Sequence, residues 1–305
     1  MKDLKKTVPE KTLVVLNGPT AVGKTELCIR LAEELHTSVI SGDARQFYRE
    51  LTIGTAPPSR QELMRVPHYF VGHLSIHDYY NVSLFEQDAL RVLETLFRSV
   101  DVVLATGGSG LYMDTLCHGI DALPEPDRDV RNQVRLVLER EGLDGLRSWV
   151  HRIDPAYYAE ADLSNPKRLM RAIEVFLSCG VPYSRMRRNQ PVKRPFAVKQ
   201  VVVNRDRDEL FCRINQRVDH MVRQGLVEEA WRLYPWRHLN ALNTVGYKEL
   251  YDWIAGRCTL SQAIGKIKTN TRRYAKRQLT WYRKKTEAAW FHPGEEEAIL
   301  AHIRS

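Results

Sequence analysis

Gly18-Pro19-Thr20-Ala21-Val22-Gly23-Lys24-Thr25 sets two glycines, a lysine and a threonine in the spacing G-x-x-x-x-G-K-[ST]. Residues of these types at this spacing can hold a polyphosphate. The glycines let the backbone curl so that its N–H groups face an anion, and a helix N-terminus behind them adds its dipole. Lys24 would reach the phosphates, and the Thr25 hydroxyl would reach a Mg²⁺ ion. A carboxylate, Asp43, follows Gly42. Three roles are open to it: metal ligand, helix cap, or acceptor of a proton from an attacking group. A second glycine loop, Thr106-Gly107-Gly108-Ser109-Gly110, brings the Ser109 hydroxyl.

These groups work only if particular elements hold them. Leu13-Val14-Val15-Leu16 reads as a buried parallel strand in front of the first loop. Leu27, Leu31 and Leu35 recur every four residues behind it, as one helix face does. Residues 37–41 read as a second strand with Asp43 just past its carboxyl end, where open α/β sheets bind ligands. Ser83-Leu84-Phe85-Glu86 reads as a capping box opening a helix that turns Leu90, Leu93, Leu96 and Phe97 inward. Residues 101–105 form the next strand. It runs into the second glycine loop without the terminal acid of ordinary P-loop nucleotidases. After residue 106 only residues 198–203 read clearly as a strand.

Between those last two strands the pattern is helical. Val130, Val134, Val137 and Leu138 share a face over residues 128–141, with Gly142 as the stop. Another helix has Asn165 as cap, Pro166 at its first position and Gly180 as a left-handed stop. The basic, Pro-flanked tract 185–194 reads as a return linker. A stripe of Leu210, Ile214, Val218 and Met221 opens a mostly helical remainder. The expected fold class is α/β: a P-loop NTPase-like parallel sheet core (residues 1–120 and 197–305) with a helical insertion domain (121–196) and a helical C-terminal part.

Composition narrows the partners. The chain has 305 residues, 43% hydrophobic and 27% charged, with no apolar run of membrane-spanning length. Met1-Lys2-Asp3-Leu4-Lys5-Lys6 lacks the apolar region of a signal peptide. Five cysteines lie far apart with no C-x-x-C pair, which argues against a disulfide framework or a zinc site and for a cytoplasmic protein. His68, His73 and His77 match no zinc spacing and read as structural or solvated. The net charge of +9 is concentrated in one place. Nine Lys/Arg and no acid lie between Lys266 and Lys285, which equals the whole excess. A polyanionic macromolecule suits that better than a small ligand does.

Further motifs stand in a fixed order after the P-loop: Asp43-Ala44-Arg45-Gln46, Ile53-Gly54-Thr55-Ala56-Pro57 and Gly107-Gly108-Ser109-Gly110-Leu111-Tyr112 come first. Asn165-Pro166-Lys167-Arg168-Leu169, Val245-Gly246-Tyr247-Lys248-Glu249 and Lys276-Arg277-Gln278-Leu279-Thr280-Trp281 follow. The ordered set, over residues 13–293, resembles the bacterial tRNA dimethylallyltransferase family, the tRNA isopentenyltransferases. That family moves a dimethylallyl group from dimethylallyl diphosphate to the exocyclic amine of the adenosine 3′ of the tRNA anticodon, assisted by Mg²⁺.

The resemblance implies that Gly18, Pro19, Thr20, Ala21, Val22, Gly23, Lys24 and Thr25 grip the diphosphate leaving group. Arg217 would lie near it or on a solvated helix face. Asp43, Ser109 and Lys24 would be the catalytic residues and Thr25 the metal ligand. Asp43, Ala44, Arg45, Gln46 and Ser109 would flank a base extruded from the anticodon loop. Arg131, Lys167, Arg168, Leu169, Met170 and Arg171 would hold the anticodon stem-loop from the insertion. Asn243, Thr244, Val245, Gly246, Tyr247 and Lys248 would line the other side. Lys276, Arg277, Gln278, Leu279, Thr280, Trp281, Tyr282 and Arg283 would complete that side, although Trp281 reads more simply as core packing. Ala44 stands where many members have serine, and Asn243-Thr244 differ from the residues some members carry. Both departures put individual tRNA contacts in doubt. A monomer is expected. The rival readings are a small-molecule P-loop kinase, a prenyltransferase of free adenine nucleotides, and a non-enzymatic RNA-binding protein.

Overall fold

The computed structural model describes residues 11–188 and 190–305. The reading of Met1–Lys6 lies outside them, as does Asn189 within the tract 185–194. The strands are β1 (Thr12–Asn17), β2 (Val39–Ser41), β3 (His68–Tyr69), β4 (Val102–Thr106), β5 (Ala197–Val203) and β6 (Ala289–Phe291). The helices up to the second glycine loop are α1 (Lys24–Glu34), α2 (Arg60–Arg65), α3 (Val82–Leu96) and α4 (Gly110–His118). Then come α5 (Arg128–Ile153), α6 (Pro155–Glu160), α7 (Pro166–Cys179) and α8 (Tyr183–Met186). The last are α9 (Arg207–Arg223), α10 (Leu226–Leu233), α11 (Tyr247–Ile254), α12 (Leu260–Tyr282) and α13 (Glu296–Arg304). Two compact units result, one formed by the chain up to His118 together with Arg194–Ser305, the other by Gly119–Lys193.

In the larger unit all six strands pair in parallel in the order β3-β2-β4-β1-β5-β6. Alternation along the strands splits the core in two. Leu13, Val15, Ile40, Val103 and Ala105 face one side with Phe85, Leu93, Met113 and Tyr247. Val14, Leu16, Val39, Leu104, Val201 and Val203 face the other with Leu27, Leu31, Leu210, Ile214 and Ile299. Burial of each Val, Leu, Ile, Phe or Met side chain among them contributes about 1.5–3 kcal/mol. Both faces being covered explains why the strands read as continuous apolar runs. Thr106 of β4 stands level with Leu16 of β1 and with Ser41 of β2. The loops leaving after Asn17, Ser41 and Thr106 therefore emerge at one edge of the sheet, at the point where β1 and β2 are separated by β4.

The cap near Ser83 and the count of strands need correction. The helix opening near Ser83 is capped two residues earlier: the Asn81 side chain accepts from the Leu84 N–H at 2.9 Å, so Ser83 is already inside α3. The strand at 197–203 is not the last. β6 adds to β5 through Val201–Val203, as a three-residue edge strand too short to show a period. β3, with two residues, escaped notice for the same reason. The histidines go to separate neighbours: His68 Nδ1 lies 2.8 Å from the Val66 carbonyl, His73 packs edge-on against Phe47, and His77 meets Trp236.

The smaller unit is helical, with α5 packed on α7 around Val134, Leu146, Val150, Leu169 and Ile173. Gly142 interrupts α5 at φ 66°, ψ −156°, and a second helical segment continues from it. Asn165, Pro166 and Gly180 bound α7 as expected. Asp154, 2% exposed, caps α6 through the Tyr157 N–H at 3.1 Å and accepts from the Ser184 N–H and hydroxyl at 2.7 and 2.6 Å. Asp154→Ala strands these donors and is expected to destabilise this unit by about 1–3 kcal/mol, read as a lowered denaturant midpoint. Among the described residues no helix is long and apolar enough to cross a membrane.

Candidate active site

The first glycine loop joins β1 to α1, and its shape depends on missing side chains. A Cβ on Gly18 would lie 2.5 Å from the Val203 carbonyl oxygen. Gly23 takes φ 105°, a left-handed conformation that glycine adopts freely, and passes the chain into α1. Lys24 Nζ folds back to donate to the carbonyls of Gly18 and Pro19 at 2.8 and 2.9 Å. Burial, then the Arg217 guanidinium, pull its pKa down to about 7 against the opposing pull of Asp43. Arg217 lies on the α9 face turned to the loop, its Nη1 3.5 Å from the Thr20 hydroxyl, which excludes the solvated alternative. Its own pKa is lowered by burial, with Asp43 acting the other way.

Two further arginines, missed in the sequence, brace the same loop. Arg205 Nε donates to the Val22 carbonyl at 2.8 Å and Arg213 Nε to the Ala21 carbonyl at 2.9 Å. The available signal was that Arg213 precedes Arg217 by one helical turn.

Asp43 leaves β2 beside the second glycine loop. The Gly42 N–H donates to the Thr106 carbonyl at 2.8 Å, and a Cβ on Gly107 would meet the Gly42 carbonyl group at 2.5 Å. Asp43 Oδ1 accepts from the Arg45 N–H at 3.0 Å, an Asx turn rather than a helix cap. Its other oxygen lies 2.6 Å from where a Gly108 Cβ would stand. The Ser109 hydroxyl accepts from the Ala44 N–H at 3.1 Å, so here Ser109 fixes the Asp43 turn. α12 latches both glycine loops together. Gln278 accepts from the Thr20 N–H at 2.8 Å and donates to the Gly108 carbonyl at 2.7 Å, which also accepts from Tyr274 at 2.7 Å.

A cavity of about 690 Å³ is lined by Thr20, Lys24, Thr25, Asp43, Gly107, Gly108 and, from α9, Arg213 and Arg217. Beside it is a smaller pocket of about 130 Å³ walled by Ile214, Val218, Met221, Leu226, Val245 and Ile267. Thr20, Asp43, Arg217 and Tyr274 belong to both, so the carboxylate stands at the junction of a cationic cavity and an apolar one. This arrangement can hold a polyanionic leaving group on one side of the carboxylate and a flat, largely apolar acceptor on the other.

The remaining candidates divide by exposure. Asn243, Lys248, Lys276, Arg277, Thr280 and Arg283 are exposed in the larger unit, and Lys167 and Arg168 in the smaller, beside half-buried Arg171 and Met170. Arg131 pairs with Glu125. Arg45 donates to the carbonyls of Asn240 and Ala241 at 2.6 and 3.3 Å, and Gln46 to those of Thr55 and Ala56 at 3.2 and 3.0 Å. These two side chains tie loops together. Leu169, Tyr247, Gln278 and Tyr282 are buried, and Leu279 packs on the core; their side chains line no open surface because the packing needs them. Gly246 is buried too, between the half-exposed Thr244 and Val245 and the start of α11. Trp281 is corrected in the opposite sense. It is 39% exposed, with its Nε1 donating to Asp114 at 2.8 Å, and it lies over Gly110, where a Cβ would be 2.7 Å from the ring. The basic segment is also partly engaged: Lys268 pairs with Asp219 at 2.6 Å, Lys285 with Asp114, and Arg272 donates to Asn215 at 2.7 Å.

With this geometry in view, the relatives are informative. The family model described as IPP transferase matches residues 46–285. A tRNA dimethylallyltransferase 1 of Phocaeicola vulgatus is 47% identical, covering 96% of this chain and 98% of its own. The protein of that name from Bacteroides fragilis is 48% identical over 97% and 98%. Among solved structures, the full-length tRNA isopentenylpyrophosphate transferase of Bacillus halodurans superposes with a TM-score of 0.71 at 34% identity, covering 97% of this chain and 96% of that one. A eukaryotic dimethylallyltransferase acting on tRNA superposes at 0.77 with 25% identity, covering 93% of this chain and 74% of that one. A glycine cradle and a junction carboxylate thus sit in a chain whose likeness to these enzymes runs nearly end to end, and the chain belongs to the IPP transferase family.

Proposed function

We propose that this protein transfers the dimethylallyl group of dimethylallyl diphosphate to the N6 amine of the adenosine 3′ of the anticodon in tRNA, releasing diphosphate. The observation that carries the reading is Asp43 at the junction of the cationic cavity and the apolar pocket. The diphosphate occupies the loop of Gly18, Pro19, Thr20, Ala21, Val22, Gly23, Lys24 and Thr25, with Arg217 beside it. The adenosine amine attacks the first carbon of the prenyl chain. As the new C–N bond forms, the C–O bond breaks and the electron pair leaves with diphosphate. Asp43 takes the proton of the amine.

An exocyclic aromatic amine is a weak nucleophile because its lone pair is delocalised into the ring. A carboxylate on its N–H localises that density, and such assistance is worth about two to four orders of magnitude. Donors already fixed around the cradle stabilise charge growing on the leaving group without reorganising. Among the described residues no group of three His, Cys, Asp or Glu could hold a metal by itself. Thr25 on the cavity wall nevertheless fits a Mg²⁺ carried mostly by diphosphate and water. Bound there, it would offset leaving-group charge.

The acceptor side rests on exposed cations. Arg273, Lys276 and Arg277 follow one another on the solvent side of α12. Replacing all three with glutamine is expected to weaken tRNA binding and reduce the slope of log K against log salt by about two to three. A salt titration with an unchanged slope would contradict it. Lys167, Arg168 and Arg171 border a cavity of about 480 Å³ in the smaller unit and are proposed to hold the anticodon arm. A tRNA substrate supports a cytoplasmic enzyme, which we take to act as a monomer. Labelled dimethylallyl diphosphate offered with unmodified tRNA and, separately, with free adenine nucleotides tests the reading. Label should enter tRNA alone; label entering the nucleotide would favour the small-substrate alternative.

A further inference from the structure

Glu229 lies on α10, outside both cavities, and is 2% exposed. Burying a carboxylate is costly unless donors surround it, and here five do. Its Oε2 accepts from the N–H and hydroxyl of Thr52 at 2.9 and 2.6 Å and from the Ile53 N–H at 3.0 Å. Its Oε1 accepts from the Gly54 N–H at 2.9 Å and the Tyr247 hydroxyl at 2.6 Å. One side chain thus holds a segment without regular structure, residues 52–54, against the first residue of α11. Gly54 fits there only because it has no side chain: a Cβ would meet the Tyr247 ring at 2.6 Å.

What these two segments carry gives the contact its meaning. Gly54 and Thr55 from the first segment and Thr244, Val245 and Gly246, just before the second, all line the small pocket, as do Asp43 and Arg45. We propose that Glu229 is a positioning residue that sets the width of this pocket and so seats the acceptor base against Asp43. The inference rests on the proposed reaction. It differs from a general packing role because the P-loop and the larger cavity are built by other contacts, from Arg205, Arg213, Arg217 and Gln278. Disturbing Glu229 should impair the acceptor and spare the donor.

Glutamine cannot replace it. Whichever way its amide turns, an NH₂ faces a backbone N–H, of Gly54 or of Thr52, that then lacks an acceptor, even though the Tyr247 or Thr52 hydroxyl can turn to accept from it. Aspartate is one methylene too short to reach both segments.

The test is steady-state kinetics of Glu229→Gln, Tyr247→Phe and the double variant beside the wild type, varying tRNA and dimethylallyl diphosphate in turn. Glu229→Gln is expected to raise the KM for tRNA about tenfold or more, and Tyr247→Phe about threefold, with the KM for the donor within about twofold. The double variant should cost less than the two single effects combined, because both changes act on one hydrogen-bond network. Tyr247→Phe keeps the ring and decides the matter should Glu229→Gln fail to fold. A tRNA KM within twofold of wild type in the folded variants overturns the inference, as does a donor KM rising in step with it. Wild-type protein that transfers no label to tRNA would instead overturn the proposed reaction, so the two failures are separable.

Discussion

Asp43→Ala is expected to slow single-turnover transfer by about two to four orders of magnitude while tRNA affinity stays within a few-fold. The change removes the group at the junction of the two cavities, and the surrounding surface keeps its charge and shape. Asp43→Asn refines the test. Asparagine can still accept from the Arg45 N–H, as Asp43 Oδ1 does at 3.0 Å, so the turn survives. It cannot take a proton. If the carboxylate is the proton acceptor, both variants should be comparably slow. If Asp43 only shapes the turn, Asp43→Asn should recover most of the rate. Wild-type rates in both would remove Asp43 from the chemistry.

Lys24→Met should cost the chemical step about two to three orders of magnitude, the usual loss when one fixed charge donor is taken from a leaving group or oxyanion. It should also change how binding depends on pH. In the free protein burial and Arg217 bring the Lys24 pKa down to about 7, so above that value the amine is mostly neutral. A bound polyanion favours the ammonium and draws a proton back. The complex therefore holds more protons than the free protein above pH 7, and affinity falls as pH rises. For inorganic diphosphate the difference between wild type and Lys24→Met should approach tenfold per pH unit above about 7 and flatten below it. Calorimetry in buffers of different ionisation enthalpy reads the same effect as proton uptake. Uptake equal in the two proteins would show that Lys24 gains no proton on binding and would overturn this prediction.

The cradle was legible because its chemistry dictates its sequence: Gly18 has no room for a side chain, Gly23 needs a positive φ, and an apolar strand must deliver the loop. Asp43 was legible because strand ends face ligands in this fold class. Capping and stop signals bounded α7 for similarly local reasons. What stayed hidden depends on partners remote in sequence. Gln278 bonds Thr20 across 258 positions and Glu229 bonds Thr52 across 177. Nothing near Glu229 separates it from Glu228, its solvent-side neighbour. The run from Lys276 to Arg283 read as one basic stripe, but helical winding sends Gln278 and Tyr282 into the core and leaves Lys276, Arg277 and Trp281 outside. Exposure of Trp281 could not be read from its type, because an indole suits a core and a base-stacking surface equally.

The central claim is that the glycine cradle clasps the departing diphosphate of a prenyl donor and cleaves no nucleotide. It is met most directly by counting phosphate products in one reaction holding protein, unmodified tRNA, dimethylallyl diphosphate and ATP. The account predicts one diphosphate released for each prenylated adenosine, with ATP intact and no release when tRNA is withheld. Hydrolysis of ATP, or diphosphate released without modified tRNA, would contradict it.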